Sequence, residues 1–274
     1  MNGTPVREAL DSAMVALQAA GVDTPRLDAE ILLAHALGVD RAALVTGSEL
    51  PVEGAAVRAF QDAVRRRSVG REPVAYITGT KGFRHLDLEV DPRVLIPRPD
   101  TETLVEAAIE ALPKGTRVVD VGTGSGAVAL ALKHERPDLD VVGTDVSADA
   151  LTVARANAKR LRLAVAFVPG DLLAGVPEVG AVVSNPPYVE DDAVLAPEIV
   201  RHEPALALRA GPEGLDVLRR LVPAAAASSA AVFVVEVGAG QAGKVAALAR
   251  EAGFARCETR ADLGGVERVV VAWR

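Results

Sequence analysis

The residues best suited to chemistry are Asn185-Pro186-Pro187-Tyr188, which follow a run, Ala181–Ser184, that reads as a buried strand. A side-chain amide, two prolines and one of only two tyrosines stand together there. In open α/β sheets ligands bind at the carboxyl ends of strands, and this is such a position. The group suits the task of holding a planar nitrogen. An amide or exocyclic amino nitrogen is a weak nucleophile because its lone pair is delocalised, so an enzyme that methylates it must hold both N–H bonds and turn the lone pair toward the donor. The Asn185 side-chain oxygen can accept one N–H and the Pro186 carbonyl the other, and proline has no N–H of its own to compete. Tyr188 can lie over the planar group and shield it from water. Bonds that strengthen as the nitrogen becomes pyramidal and cationic stabilise the transition state, and no general base is required. The bland reading of the same residues is a proline-rich turn that ends a strand, with Tyr188 as packing.

A second constellation precedes it. Gly122, Thr123, Gly124, Ser125 and Gly126 follow a strand ending in Asp120-Val121 and open a helix. Glycines let the backbone turn tightly and a ligand approach closely, and the N–H groups at a helix start face an anionic group. Asp145 ends the next strand, where an acceptor for a ribose hydroxyl belongs. Asp171, after the third strand, could accept from an adenine amino group, with Leu172 against the ring; it could equally be a turn aspartate. Gly122-x-Gly124-x-x-Ala127 also satisfies the dinucleotide form of the motif, so NAD(P), S-adenosylmethionine and an empty glycine-rich turn all remain open on these residues alone.

These residues need a scaffold, and the pattern supplies one. Residues 1 to 70 read as helices only, with Thr4-Pro5 and Thr24-Pro25 as start signals and Gly21 and Gly38 as stops. Gly70–Pro73 is a break. Phe83–Val90 alternates as a strand, with Leu86, Leu88 and Val90 on one face, and Arg93–Ile96 reads as a second strand able to pair with it. A helix capped by Asp100 or Thr101 follows. From Thr116 strand, turn and helix alternate, with strands at Arg117–Val121, Asp140–Val146, Ala164–Val168, Ala181–Ser184 and Ala231–Val237. Helices fall at Gly124–His134, Ser147–Leu161 and Gly214–Ala227. That implies a mostly parallel sheet covered on both faces. After a helix at Gln241–Ala252, Phe254–Ala261 and Glu267–Trp273 flank a short turn and must be antiparallel. The expected fold is therefore α/β: a Rossmann-like class I methyltransferase sheet, mostly parallel with an antiparallel final strand. A small all-helical N-terminal domain (1–70) and a linker with a β-hairpin (71–100) precede the main domain (101–274). The antiparallel tail favours S-adenosylmethionine over NAD(P).

Composition narrows the field. The chain has 274 residues, is 50% hydrophobic and carries a net charge of −7, which fits a folded protein rather than a disordered one. Its positive mean hydropathy comes mostly from alanine; the longest near-apolar stretch, Val222–Val235, is interrupted and too short to span a membrane. There is no signal-peptide pattern, and one cysteine, Cys257, excludes an internal disulfide, so the cytoplasm is the expected compartment. Aromatics make up only 3%, which with the acidic balance argues against tracking a long nucleic acid. The four histidines have no metal-ligand spacing, and no metal is expected.

Taken together, the sequence resembles the PrmC (HemK) family of protein-(glutamine-N5) methyltransferases. The resemblance covers essentially the whole chain. Its specific segments are Arg71-Glu-Pro-Val-Ala-Tyr-Ile-Thr-Gly79 and Val94-Leu-Ile-Pro-Arg-Pro-Asp-Thr-Glu102; the glycine loop, Asn185–Tyr188, Glu203-Pro-Ala-Leu206 and Gly211-Pro-Glu-Gly-Leu215 complete it. It implies S-adenosylmethionine on Gly122 to Gly126, Asp145, Asp171, Leu172 and Asn185. It implies that a glutamine from the Gly-Gly-Gln loop of class-1 peptide chain release factors lies on Asn185 to Tyr188, with Asn185, Pro186 and Tyr188 catalytic. The helical domain would help hold that partner, and Arg98–Thr101 would lie near the donor. An amino-methyltransferase acting on DNA or RNA, which would have to extrude a base, and a non-catalytic nucleotide-binding module are the competing functions. Arg65-Arg66-Arg67, with Arg71, reads as a solvated helix end or as a contact for an acidic release-factor surface or for RNA, and His202-Glu203-Pro204 as structural support for the tetrapeptide loop.

Overall fold

The structure, a computed structural model, describes residues 4–176 and 178–274. Met1–Gly3, the start of the segment read as the helical domain, lie outside the described residues. Two compact units form: one runs up to Gly79 and includes Leu195–His202, the other comprises Thr80–Val194 and Glu203–Arg274. Among the described residues no helix is long and apolar enough to cross a membrane.

The first unit holds β1 (Thr4–Pro5), α1 (Val6–Ala19), α2 (Pro25–Leu37), α3 (Arg41–Thr46), β2 (Pro51–Val52), α4 (Gly54–Ser68) and α5 (Val74–Thr78). The reading of helices only is corrected here, because β1 and β2 pair antiparallel, Thr4 opposite Val52. Pro5 is extended at φ −56°, ψ 146° and caps α1, so the helix starts at Val6, one residue later than the Thr-Pro signal suggests. Thr24-Pro25 starts α2 as read, with proline at the first position, and Gly38 ends it at φ 67°. Leu17, Leu32, Leu33, Phe60 and Ile77 fill the core, so α5 belongs to this unit.

The arginine run is not one surface: the reading of a solvated helix end holds for Arg65 but not for Arg67. Arg65 is exposed and pairs with Asp62 at 2.6 Å. Arg66 grips Glu72 with two bonds of 2.7 and 2.5 Å. Arg67 is 7% exposed; it binds Asp28 at 2.7 Å and Glu198 at 3.3 Å. Arg71 joins the cluster through Glu198 at 2.8 Å and the Ala20 carbonyl at 2.6 Å. The signal was helical phase: Phe60, Ala63 and Arg67 share the buried face of α4.

The second unit opens with β3 (Thr80–Phe83) and β4 (Leu86–Glu89), a hairpin with Phe83 opposite Leu86. This corrects the expected pairing of Phe83–Val90 with Arg93–Ile96. Arg84, at φ 50°, turns the chain inside the first segment. In the second, Asp91 accepts from the Arg93 N–H at 3.0 Å through its side chain and from the Val94 N–H at 3.1 Å through its carbonyl, which makes a turn instead of a strand. Leu86 and Leu88 do face inward together.

The main sheet follows: α6 (Thr101–Ala111), β5 (Arg117–Val121), α7 (Ala127–Glu135), β6 (Asp140–Asp145), α8 (Ala148–Leu161), β7 (Ala166–Pro169), β8 (Ala181–Ser184), α9 (Pro197–His202, counted with the first unit), α10 (Asp216–Ala227), β9 (Val232–Glu236), α11 (Ala242–Glu251), β10 (Arg256–Ala261) and β11 (Glu267–Trp273). The order is β10-β11-β9-β8-β5-β6-β7, with β11 antiparallel to both its neighbours and all other pairs parallel. Alternate residues feed two cores. Val118, Ala181, Val183 and Val234 face one side with Leu104 and Leu130, and Val119, Val182 and Phe233 face the other with Leu218 and Val245. The chain runs outward from β5 to β6 and β7, then returns to β8 and β9. The crevice between the carboxyl ends of β5 and β8 is thus the topological switch point, where such sheets bind ligands.

Candidate active site

The glycine loop leaves β5 with Gly122, Gly124 and Gly126 at φ 71°, 54° and 84°. A side chain is strained in this left-handed region, which is why three alternate positions are glycine. It is also why α7 begins at Ala127 rather than at Gly124 as the pattern suggests. Asp120, almost wholly buried, holds the loop from beneath: it accepts from the Thr123 hydroxyl at 2.6 Å and from the Ala129 N–H at 3.1 Å. Burial pushes its carboxyl up to about 7. Thr123, Ser125 and Gly126 are likewise buried and shape the loop from within.

A cavity of about 400 Å³ lies at the switch point, within the usual range for a small-molecule site. Gly122, Gly124, Asp145, Asp171 and Leu172 line one part of it, and Asn185, Pro186 and Pro187 another. Of the residues singled out in the sequence, Thr123, Ser125, Gly126 and Tyr188 are not on its wall. Asp145 is fixed by two backbone donors, Gly124 N–H at 2.9 Å to one oxygen and Ser147 N–H at 2.9 Å to the other. Each oxygen keeps a further lone pair, so the carboxylate can accept a vicinal diol. Leu172 is held at φ 55°, a strained conformation for leucine. Its carbonyl accepts from the Thr144 hydroxyl at 2.9 Å. Asp171 pairs with Arg220, another residue of the wall, so its carboxylate already has a partner.

The tetrapeptide leaves β8, which pairs with β9 through Ser184 and Val235, so Asn185 and Glu236 follow side by side. Asn185 donates from Nδ2 to the Thr101 hydroxyl at 3.0 Å, which turns its Oδ1 away from that contact. Tyr188 donates from its hydroxyl to Glu236 Oε1 at 3.1 Å, and its carbonyl accepts from Gln241 Nε2 at 3.1 Å. Tyr188 is therefore anchored at its polar end to the next strand. Glu236 has no exposed surface. Burial pushes its carboxyl up to about 7, against the pull of Thr101 and Tyr188. Its own burial, and then the Glu236 carboxyl, push the Tyr188 phenol well above its ordinary range.

Sequence reasoning missed Glu236 as a member of this site, and it placed Thr101 near the donor without giving it a partner. The signal for Glu236 was present: one carboxylate ends the apolar run Val232–Val235 at the carboxyl edge of the sheet. Glu203 has a definite task. It accepts from the Ile96 N–H at 3.1 Å and from Arg98 at 2.6 Å, and so holds the segment whose Val94 and Leu95 line the cavity. His202 instead contacts the Gly70 carbonyl at 2.8 Å, within the first unit.

Comparison with known proteins follows the same division. Residues 8–79 match the PrmC N-terminal domain and residues 99–243 the methyltransferase small domain. A release factor glutamine methyltransferase of Moorella thermoacetica is 43% identical, over 98% of each chain. One from Deinococcus radiodurans is 44% identical, also over 98% of each chain. Among solved structures, a chain of the E. cuniculi Mtq2–Trm112 complex, responsible for methylation of the eRF1 translation termination factor, is 26% identical. It has a TM-score of 0.50 and covers 66% of this chain and 99% of its own. The mostly parallel sheet with β11 reversed is the class I methyltransferase fold. Identity at this level, sustained from the helical unit through the last strand, is that of one family, and the chain belongs to the release factor glutamine methyltransferases.

Proposed function

We propose that the protein transfers a methyl group from S-adenosylmethionine to the side-chain amide N5 of the glutamine in the Gly-Gly-Gln loop of class-1 peptide chain release factors, in the cytoplasm. The observation that carries this reading is the state of Asn185. Its Nδ2 donates to Thr101, which leaves Oδ1 as an acceptor, and Asn185 and Pro186 both line the cavity. Oδ1 and the Pro186 carbonyl are two acceptors, which suit the two N–H bonds of a primary amide.

The cavity fits the methyl donor. Asp145, with both oxygens steadied by backbone N–H groups, can take the ribose hydroxyls, and Gly122 and Gly124 admit close backbone approach. Leu172 offers an apolar face for the base. Arg220 holds Asp171, so an adenine amino group would share that carboxylate with a guanidinium. When bound, S-adenosylmethionine supplies an electrophilic sulfonium methyl. Asn185 and Pro186 grip the substrate amide, and their pull grows as positive charge develops on nitrogen. The prolines stiffen the loop and lower the ordering cost. The helical unit is assigned to holding the release factor.

Radiolabelled methyl transfer to purified release factor, set beside DNA, ribosomal RNA and tRNA, tests the proposal. Label is expected in the factor alone; label in nucleic acid and none in the factor overturns it in favour of a base amino-methyltransferase. Asn185→Ala should lower kcat by about 100-fold or more, the scale of losing a positioned transition-state partner, and weaken donor binding less.

A further inference from the structure

We propose that Thr101 and Glu236 are positioning residues that set which way the Asn185 side-chain amide faces. The inference rests on the role given to Asn185 above and asks what keeps its oxygen toward the substrate. An asparagine amide is nearly symmetric in form but not in function. Rotated by half a turn, Asn185 would present two donors to an amide that is itself a donor, and the grip would be lost.

Thr101 is the partner that distinguishes the two ends of the Asn185 amide, accepting from Nδ2 at 3.0 Å. A hydroxyl alone can accept or donate, so a third group must fix its proton. Glu236 supplies that group. It is buried without exposed surface at the end of β9, and the Thr101 and Tyr188 hydroxyls both favour its charged form. An ionised carboxylate only accepts, so a hydroxyl turned to it must give its proton away and offer its lone pairs to Asn185. Among the described residues Glu236 Oε2 has no hydrogen-bond partner of good geometry, although it is buried. An acceptor left open in that place is a standing attraction for the Thr101 proton. The chain Asn185 to Thr101 to Glu236 thus runs in one direction while Glu236 is charged. When Glu236 is protonated, it can donate to Thr101, and Thr101 is then free to donate to Asn185 Oδ1 in the rotated amide.

The other groups that act on Glu236 are Asp100, which disfavours its charge, and Arg268 on β11, which favours it. Arg268 is itself shared with Asp100 at 3.4 Å and Asp262 at 3.0 Å. With burial dominant, Glu236 titrates at about 7, so the lock tightens as pH rises through neutrality.

Steady-state kinetics on release factor test this with Thr101→Val, Thr101→Ser, Glu236→Gln and Asn185→Ala. Thr101→Val keeps the side-chain outline and removes the acceptor; kcat should fall about 10- to 100-fold, with KM for the factor within about 3-fold. Thr101→Ser should stay within about 3-fold of wild type, because the hydroxyl is restored. Glu236→Gln should lower kcat about 10-fold and abolish the acidic limb of the wild-type kcat profile. Wild-type kcat in Thr101→Val, or equal impairment in Thr101→Ser, overturns the proposal. Should Thr101→Val not fold, the wild-type enzyme decides. Its Asn185 side-chain NH2 resonances should shift between pH about 6 and about 8, and invariant resonances overturn the inference. An active Asn185→Ala, or no transfer to the factor at all, instead refutes the functional reading beneath it.

Discussion

Asn157 gives a sharp test of how the glycine loop is held. It lies on α8 with no exposed surface. Its Oδ1 accepts from the Glu89 N–H at 2.8 Å, and its Nδ2 donates to the Glu89 carbonyl at 2.9 Å and to the Ser125 carbonyl at 3.0 Å. One side chain therefore ties the end of β4 to the middle of the loop. Asn157→Leu keeps similar bulk and removes all three bonds. The Ser125 carbonyl is buried and would bear a full desolvation penalty, whereas the Glu89 groups are partly exposed and would recover some hydration. At ~1–3 kcal/mol for each orphaned group the loss is ~3–5 kcal/mol, and added apolar burial returns ~1 kcal/mol. The net cost of ~2–4 kcal/mol is a large part of a typical domain's stability. Urea unfolding followed by tryptophan fluorescence measures it cleanly, because the single tryptophan, Trp273, lies on β11 in the same unit. The midpoint should fall by about 1–2 M with the slope unchanged. S-adenosylmethionine affinity should fall several-fold in the folded variant, since Ser125 would lose its anchor. A change below ~1 kcal/mol would refute the accounting of these bonds.

Three further outcomes are expected. Gly214 adopts φ 65°, and a Cβ there would lie 2.2 Å from the Tyr188 carbonyl oxygen; Gly214→Ala should cut kcat at least about 10-fold by moving the tetrapeptide loop, and full activity would show that the loop tolerates displacement. Burial alone would raise the Glu198 carboxyl, but Arg71 and Arg67 hold it below its ordinary value. Its contribution is therefore present above pH about 4.5 and lost as pH falls. Glu198→Ala should cost ~3 kcal/mol by leaving two guanidiniums short of counter-charge, read as a lower Tm at pH about 7. Glu236 has the opposite sign: its carboxyl is raised, so the folded state holds a proton that the unfolded state has released. Stability should decline as pH rises from about 4.5 to about 7, and Glu236→Gln should remove that decline in a Tm-against-pH series.

Much of the fold was legible because its signals are local. β5, β8 and β11 have the bounds read from the sequence, since each is built on a run of valine and alanine that a strand covered on both faces requires. The hairpin was misread because Arg84 at φ 50° breaks the alternation where no glycine or asparagine marks a turn. The β1–β2 pair was invisible, because two-residue strands leave no period to detect.

The sheet, its reversed last strand, the glycine loop and the amide-and-proline group at its edge are all readable along the chain. Each follows from residue type at short spacing: glycine for positive φ, proline for a missing donor, apolar runs for buried strands. What orients the Asn185 amide comes from the fold. Thr101 and Glu236 stand 84 and 51 positions from Asn185 along the chain. A threonine at a helix start has no local pattern that separates a buried partner from a surface residue, and the carboxylate that ends the Val232–Val235 run does not name its partners. Their role comes from chain topology, which brings β9 beside β8 and Thr101 within hydrogen-bond reach of Asn185. Arg67 makes the same point: helical phase turns it inward, and the fold supplies the distant carboxylate, Asp28, that pairs with it there.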